Sequence, residues 1–190
     1  MRKRLLLLVV LTVGLAVVPA AAQQTPRVDL SAGYTYVRSN IIVPAGCCFS
    51  LNGGSGSVAY NLNDWLGVVG DFGGSHTGNA KSTGRTLTVW TYLFGPRFSY
   101  RKHERFTPFG QALFGGGHAG GTLYSGPGGL GPHNAFAMTV GGGLDVKVRP
   151  HFGVRLFQSE YFFSEFKNGT SNRQNSLRLT FGVVFPLGTR

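Results

Sequence analysis

The stretch NAFAMTVGGGLDVKV, residues 134–148, alternates with a period of two. Phe136, Met138, Val140, Leu144, Val146 and Val148 share one parity, and Ala137, Thr139, Gly141, Gly143, Asp145 and Lys147 share the other. Side chains of a strand point alternately to its two faces, so this is a strand with one apolar face and one small or charged face.

The same rule runs outward in both directions. Residues 27–37 set Val28, Leu30, Ala32, Tyr34 and Tyr36 against Asp29, Ser31, Gly33 and Thr35. Residues 85–100 set Trp90, Tyr92, Phe94, Phe98 and Tyr100 against Thr91, Arg97 and Ser99, with Leu93 the exception. Residues 174–187 set Leu177, Leu179, Phe181, Val183 and Phe185 against Arg178, Thr180 and Gly182. Weaker alternation covers 51–62 and 65–74, where Asp71 opposes Phe72. The stretches 106–117 and 152–164 read as strands of ambiguous facing. In the second, Arg155 and Glu160 have opposite parities, so either Arg155 lies at an interface or a bulge separates them.

Eight strands follow, and their connections alternate in length. Residues 63–64, 101–105 and 149–151 are short and polar, whereas 38–50, 75–84, 118–133 and 165–173 are longer. Short turns at one end and long loops at the other are the rhythm of a transmembrane barrel, with turns in the periplasm and loops outside the cell. A soluble barrel would turn its aromatics inward and its polar parity to water. Here the second face holds Gly, Ala, Ser and Thr with few charges, which suits the narrow interior of eight strands. Trp65, Tyr100, Phe106 and Phe152 flank the short turns, as an interfacial girdle should.

Composition agrees. Charged residues make up 13% of the chain, against about 25% in an ordinary soluble domain. Beyond residue 22 no apolar run is long enough for a helical span, which needs about 20 residues. The N-terminus is different. Arg2, Lys3 and Arg4 precede an apolar run from Leu5 to Val18, then Pro19 and Ala20-Ala21-Ala22. That is the layout of a cleaved secretory signal, so residues 1–22 are expected to be a signal peptide and 23–190 a single barrel domain. The net charge of +11 falls to +8 without the signal's basic residues. The basic residues are scattered through strands and turns, which points to solvation and lipid head groups and away from nucleic acid.

The inward parity collects Asp29, Asp71, Arg97, Asp145, Lys147 and Arg178, and Glu160 is placed with them. Charges inside a barrel are costly unless paired, so a network of ion pairs plugging the lumen is expected. Other chemistry is weakly signalled. His76, His118 and His133 fall in expected loops without a metal-ligand spacing. Ser75-His76 has no anchored triad around it, and the glycine clusters lack the Lys-Ser/Thr of a phosphate loop. No catalytic, metal or cofactor residue is assigned. The only cysteines, Cys47 and Cys48, are adjacent: a vicinal disulfide or two thiols.

The C-terminal stretch Thr180-x-Gly182-x-x-Phe185-x-Leu187 resembles the assembly signal of the bacterial outer-membrane barrels that include the OmpA transmembrane domain and OmpX-like proteins. Pro186 inside the signal and Gly188-Thr189-Arg190 after it depart from that pattern. The resemblance implies an outer-membrane location and recognition by the barrel-assembly machinery. The expected role is non-enzymatic, structural or surface-interacting, with outer-membrane lipid as surroundings and the loops available to an extracellular ligand. A small low-conductance pore and a lipid-modifying enzyme are the alternatives.

Overall fold

Val140 pairs with Ala112 on one side and Tyr161 on the other, which puts residues 134–148 inside a continuous antiparallel sheet. The computed structural model describes residues 25–43, 46–80, 84–125, 133–166 and 173–189. The expected signal peptide, residues 1–22, lies outside them. Eight strands run in chain order: β1 (Pro26–Val43), β2 (Gly46–Asn61), β3 (Leu66–Ala80), β4 (Arg85–Ser99), β5 (Phe106–Gly120), β6 (His133–Arg149), β7 (Phe152–Ser164) and β8 (Gln174–Thr189). Each pairs with its neighbours, and β1 pairs with β8 from Pro26↔Thr189 to Ser39↔Ser176, closing the barrel. A single helical turn, α1 (Thr122–Ser125), follows β5.

The strands are longer than their alternation suggested. Two segments read as loops, 38–50 and 75–84, are largely strand: Arg38 pairs with Ser50 and Ser39 with Phe49, and Thr77 pairs with Leu87. The reason is geometric. A tilted strand needs only about 9–11 residues to cross the hydrocarbon. Here the strands run from 13 to 18 residues, so the hairpins continue past the lipid, where nothing demands an apolar outer face. His76 and His118 accordingly sit in strands, where Nδ1 of His76 lies 2.9 Å from Thr88 Oγ1 and Nδ1 of His118 2.8 Å from Asn134 Oδ1. No cluster of metal-ligating side chains occurs among the described residues.

The outer surface is apolar. Among the described residues, twenty-four large apolar side chains stand 40–58% exposed, including Phe72, Trp90, Phe94, Phe136 and Phe181. A water-soluble protein does not present such a continuous band, and strands around a closed barrel satisfy every backbone group that lipid would leave unpaired. Near the short turns Trp65 stacks on Phe98 with ring centroids 5.9 Å apart, and Phe152 packs on Phe185 at 5.6 Å. Toward the other end, Tyr34 and Tyr161 donate their hydroxyls across the strands to Asn52 and Asn175, both at 2.5 Å.

The bulge reading of β7 is the one the structure adopts. Pairing skips a residue between Arg155 and Gln158, so Leu156 and Phe157 both face out. Arg155 and Glu160 therefore both face in. At the closing seam Gly33 lies opposite Gly182, and a Cβ on either would run into a backbone carbonyl of the other strand, of Phe181 or of Ala32.

Candidate functional site in the barrel lumen

Inward parity carries the polar side chains to the axis, where they meet in three groups. In the first, Arg178 of β8 is 3% exposed and reaches two carboxylates: Nη2 donates to Asp71 Oδ1 at 2.8 Å, and Nε lies 2.8 Å from Glu160 Oε2. The second of these is poorly aligned for a hydrogen bond and acts through charge. Gln111 extends the group, donating to Glu160 Oε1 at 2.8 Å and accepting from Arg97 Nε at 2.9 Å. In the second, Arg155 grips Asp145 and donates to Gln158 Oε1 at 2.7 Å. In the third, Arg101 donates to Asp29 Oδ2 at 2.9 Å, and Asn61 Nδ2 donates to the same oxygen at 2.9 Å. The Arg97 and Arg155 guanidinium carbons lie 4.4 and 4.7 Å from the centroid of the Phe109 ring.

Among the described residues, four arginines (97, 101, 155 and 178) thus share the lumen with four carboxylates (Asp29, Asp71, Asp145 and Glu160), a formal balance of charge. Balance is what a low-dielectric interior requires of buried ions. Lys147 is placed differently from the expectation: its side chain is exposed at the short-turn rim and makes no ion pair among the described residues. It sits so close to the strand end that the inward face has already met solvent. Arg101 was missed because it lies in a turn, where no periodicity assigns a direction; it reaches the lumen by folding back over the rim. Gln111 and Phe109 were missed because both parities of 106–117 contain apolar residues.

The side of the lumen toward the long loops is apolar. Val37, Phe49, Leu51, Leu87, Leu93, Leu113, Phe162 and Phe166 are buried in one cluster, with Leu93 and Leu113 fully inaccessible. Leu93 is the residue that broke the alternation of β4; it faces in and helps fill the barrel. At the short-turn end the lumen opens into a vestibule of about 840 Å³, whose lining includes Asp29, Arg97, Arg101, Asp145 and Lys147.

The residues of the expected assembly signal lie at the seam. Thr180 and Gly182 face in, and Thr180 Oγ1 is 3.1 Å from Thr35 Oγ1. Phe185 and Leu187 face out, 40% and 43% exposed. Cys48, at a φ of 72°, is disulfide-bonded, and the sequence holds one other cysteine, Cys47.

Residues 6–185 match the outer membrane protein beta-barrel domain family. The chain belongs to that family. Its place is the outer membrane, in contact with lipid through the apolar band. Solved structures of outer-membrane proteins share the fold. The attachment invasion locus protein Ail of Yersinia pestis is 18% identical, with a TM-score of 0.58 over 85% of this chain and 98% of that one. Neisserial surface protein A is 15% identical, with a TM-score of 0.62 over 84% of this chain and 97% of that one. OprG of Pseudomonas aeruginosa is 9% identical, with a TM-score of 0.56 over 86% of this chain and 96% of that one. At such identities the likeness concerns architecture alone. No curated protein sequence matches the chain.

Proposed function

We propose that this outer-membrane barrel is a plugged scaffold whose working surface is its long-loop end, where it binds a ligand outside the cell. The observation that carries this reading is the filling of the lumen. Leu93 and Leu113 are wholly buried within it, and beyond them the axis is occupied by the Arg178–Asp71–Glu160 group. A barrel closed in this way has little to offer as a channel, and its remaining distinctive surface is the hairpins that extend past the lipid. Arg38, Arg85 and Arg173 belong to that end. The Ail protein has been solved with a heparin analogue, sucrose octasulfate. An anionic sulfated glycan is the ligand class that these arginines suit, because guanidinium groups match oxyanions in charge and geometry.

Two accessory roles complete the reading. Residues 1–22 direct export and are removed, and Thr180, Gly182, Phe185 and Leu187 present the last strand to the assembly machinery.

The test uses intact cells carrying the chain in their outer membrane and a surface coated with heparin. Retention should exceed that of cells without the protein and should fall for the Arg38→Gln/Arg173→Gln double variant. Equal retention of all three cell types would exclude a glycan-binding role for the loops.

A further inference from the structure

We infer that the vestibule at the short-turn end is a binding site for a phosphate-bearing anion. The inference is independent of the reading of the loop surface, since it concerns the opposite mouth of the barrel.

Three observations converge. The first is shape: a concavity of about 840 Å³ is large enough for an oxyanion with its water shell and reaches the polar part of the lumen. The second is charge. The lining holds five cationic side chains, Arg97, Arg101, Arg105, Lys147 and Arg149, against three carboxylates. Asp29 is engaged by Arg101 and Asp145 by Arg155. Arg105, Lys147 and Arg149 are exposed at the rim and have no carboxylate partner among the described residues. Cations gathered at the mouth of a low-dielectric cleft concentrate anions there.

The third observation is an unmet donor. Arg97 is 2% exposed, and its only side-chain hydrogen bond among the described residues is from Nε to the neutral Gln111. Its Nη2 is buried without a partner. Arginine 101, 155 and 178 each hold a carboxylate; Arg97 holds none among the described residues. A buried guanidinium N–H without an acceptor loses its hydration and gains nothing in return, so an acceptor from outside the chain is favoured at this position. Phosphate supplies several oxygens in the geometry that a guanidinium fork recognises. The Arg97 end would receive the anion from the vestibule, and the rim cations would draw it in.

Such a phosphate has two sources, a free anion in the periplasm or the head group of an anionic phospholipid in the facing leaflet. The experiment separates them. Full-length mature chain is folded in uncharged detergent, its closure confirmed by the shift in gel mobility on heating. Binding of inorganic phosphate is then measured by calorimetry against chloride at matched ionic strength. The wild type should bind phosphate in preference to chloride. The Lys147→Gln/Arg149→Gln variant, which changes only exposed rim residues, should bind at least tenfold more weakly, and Arg97→Met should bind no phosphate. Repeating the titration in nanodiscs with phosphatidylglycerol assigns the source: lost phosphate binding identifies the lipid head group as the occupant, and unchanged binding identifies the free anion. No preference for phosphate over chloride, or equal binding by wild type and the rim variant, would overturn the proposal whether or not Arg97→Met folds.

Discussion

Arg155 and Asp145 face each other across the β6–β7 ladder and meet through two parallel contacts, Nε to Oδ1 at 2.7 Å and Nη2 to Oδ2 at 2.9 Å. The fork geometry adds orientation to charge. It depends on the bulge at Leu156–Phe157, which lets Arg155 and Glu160 share the interior although their sequence positions differ in parity.

That pair is expected to be asymmetric under mutation. Asp145→Asn leaves a buried guanidinium without its counter-charge and should lower stability by about 3–5 kcal/mol. Arg155→Met combined with Asp145→Leu removes both charges and should recover most of the loss. Urea titrations followed by the heat-dependent mobility shift measure both. A double variant no more stable than Asp145→Asn would show that the pair contributes more than mutual neutralisation.

The bulge makes a sharper prediction. Deleting Phe157 restores two-for-two pairing, with Asp145↔Arg155 and Thr180↔Gln158 both kept in register and Gln158 still facing in. This variant should fold. Deleting Ser159 has no such solution: either Phe157 enters the lumen and Gln158 meets lipid, or Glu160 turns outward and leaves Arg178. It should give little heat-modifiable barrel. Equal yields for the two deletions would mean that the bulge does not set the facing of β7.

How far the sequence speaks follows from what lipid demands. Within the hydrocarbon every outward side chain must be apolar, so 134–148 and 174–187 show their facing plainly. Past the lipid that demand ends, and the continuing strands at 38–43, 46–50 and 75–80 read as loops because pairing, not hydropathy, holds them. The interior is less legible. Asp29, Asp71, Arg97 and Arg178 follow from parity, but an inward Leu93 or Phe109 resembles an outward one. Arg101 enters from a turn, which has no parity, and Lys147 obeys parity yet lies beyond the rim where facing ceases to mean burial.

The apolar side of the plug bears on conductance. Leu93→Ala should cost about 2–5 kcal/mol, as expected for a buried leucine that leaves a cavity. The wild type in planar bilayers should show no steps of porin size, because a barrel of eight strands is just wide enough for its own side chains. Ohmic steps of that size from the wild type would refute the plugged lumen.

The closing seam offers the last test. Gly33 and Gly182 lie opposite each other where β1 meets β8, and neither has room for a Cβ without displacing the facing backbone. Gly182 also belongs to the segment proposed to guide assembly, so a change there has two routes to failure. They can be separated by where folding takes place. Gly33→Val alters the same contact from the other strand and leaves residues 180–187 intact. If crowding alone matters, Gly33→Val and Gly182→Val should both fold poorly from urea into detergent, each losing about 1–3 kcal/mol. If β8 is also read during assembly, Gly182→Val should be depleted further in cells, with much less protein in the outer membrane than Gly33→Val at matched stability in vitro. Replacing Phe185 with Ser, a position whose side chain faces lipid and which leaves the Gly33–Gly182 contact intact, should then reproduce the cellular defect with a smaller loss in detergent. Matched levels of all three variants in the outer membrane would remove the case for recognition of Thr180, Gly182, Phe185 and Leu187 and leave Gly182 as a packing residue only.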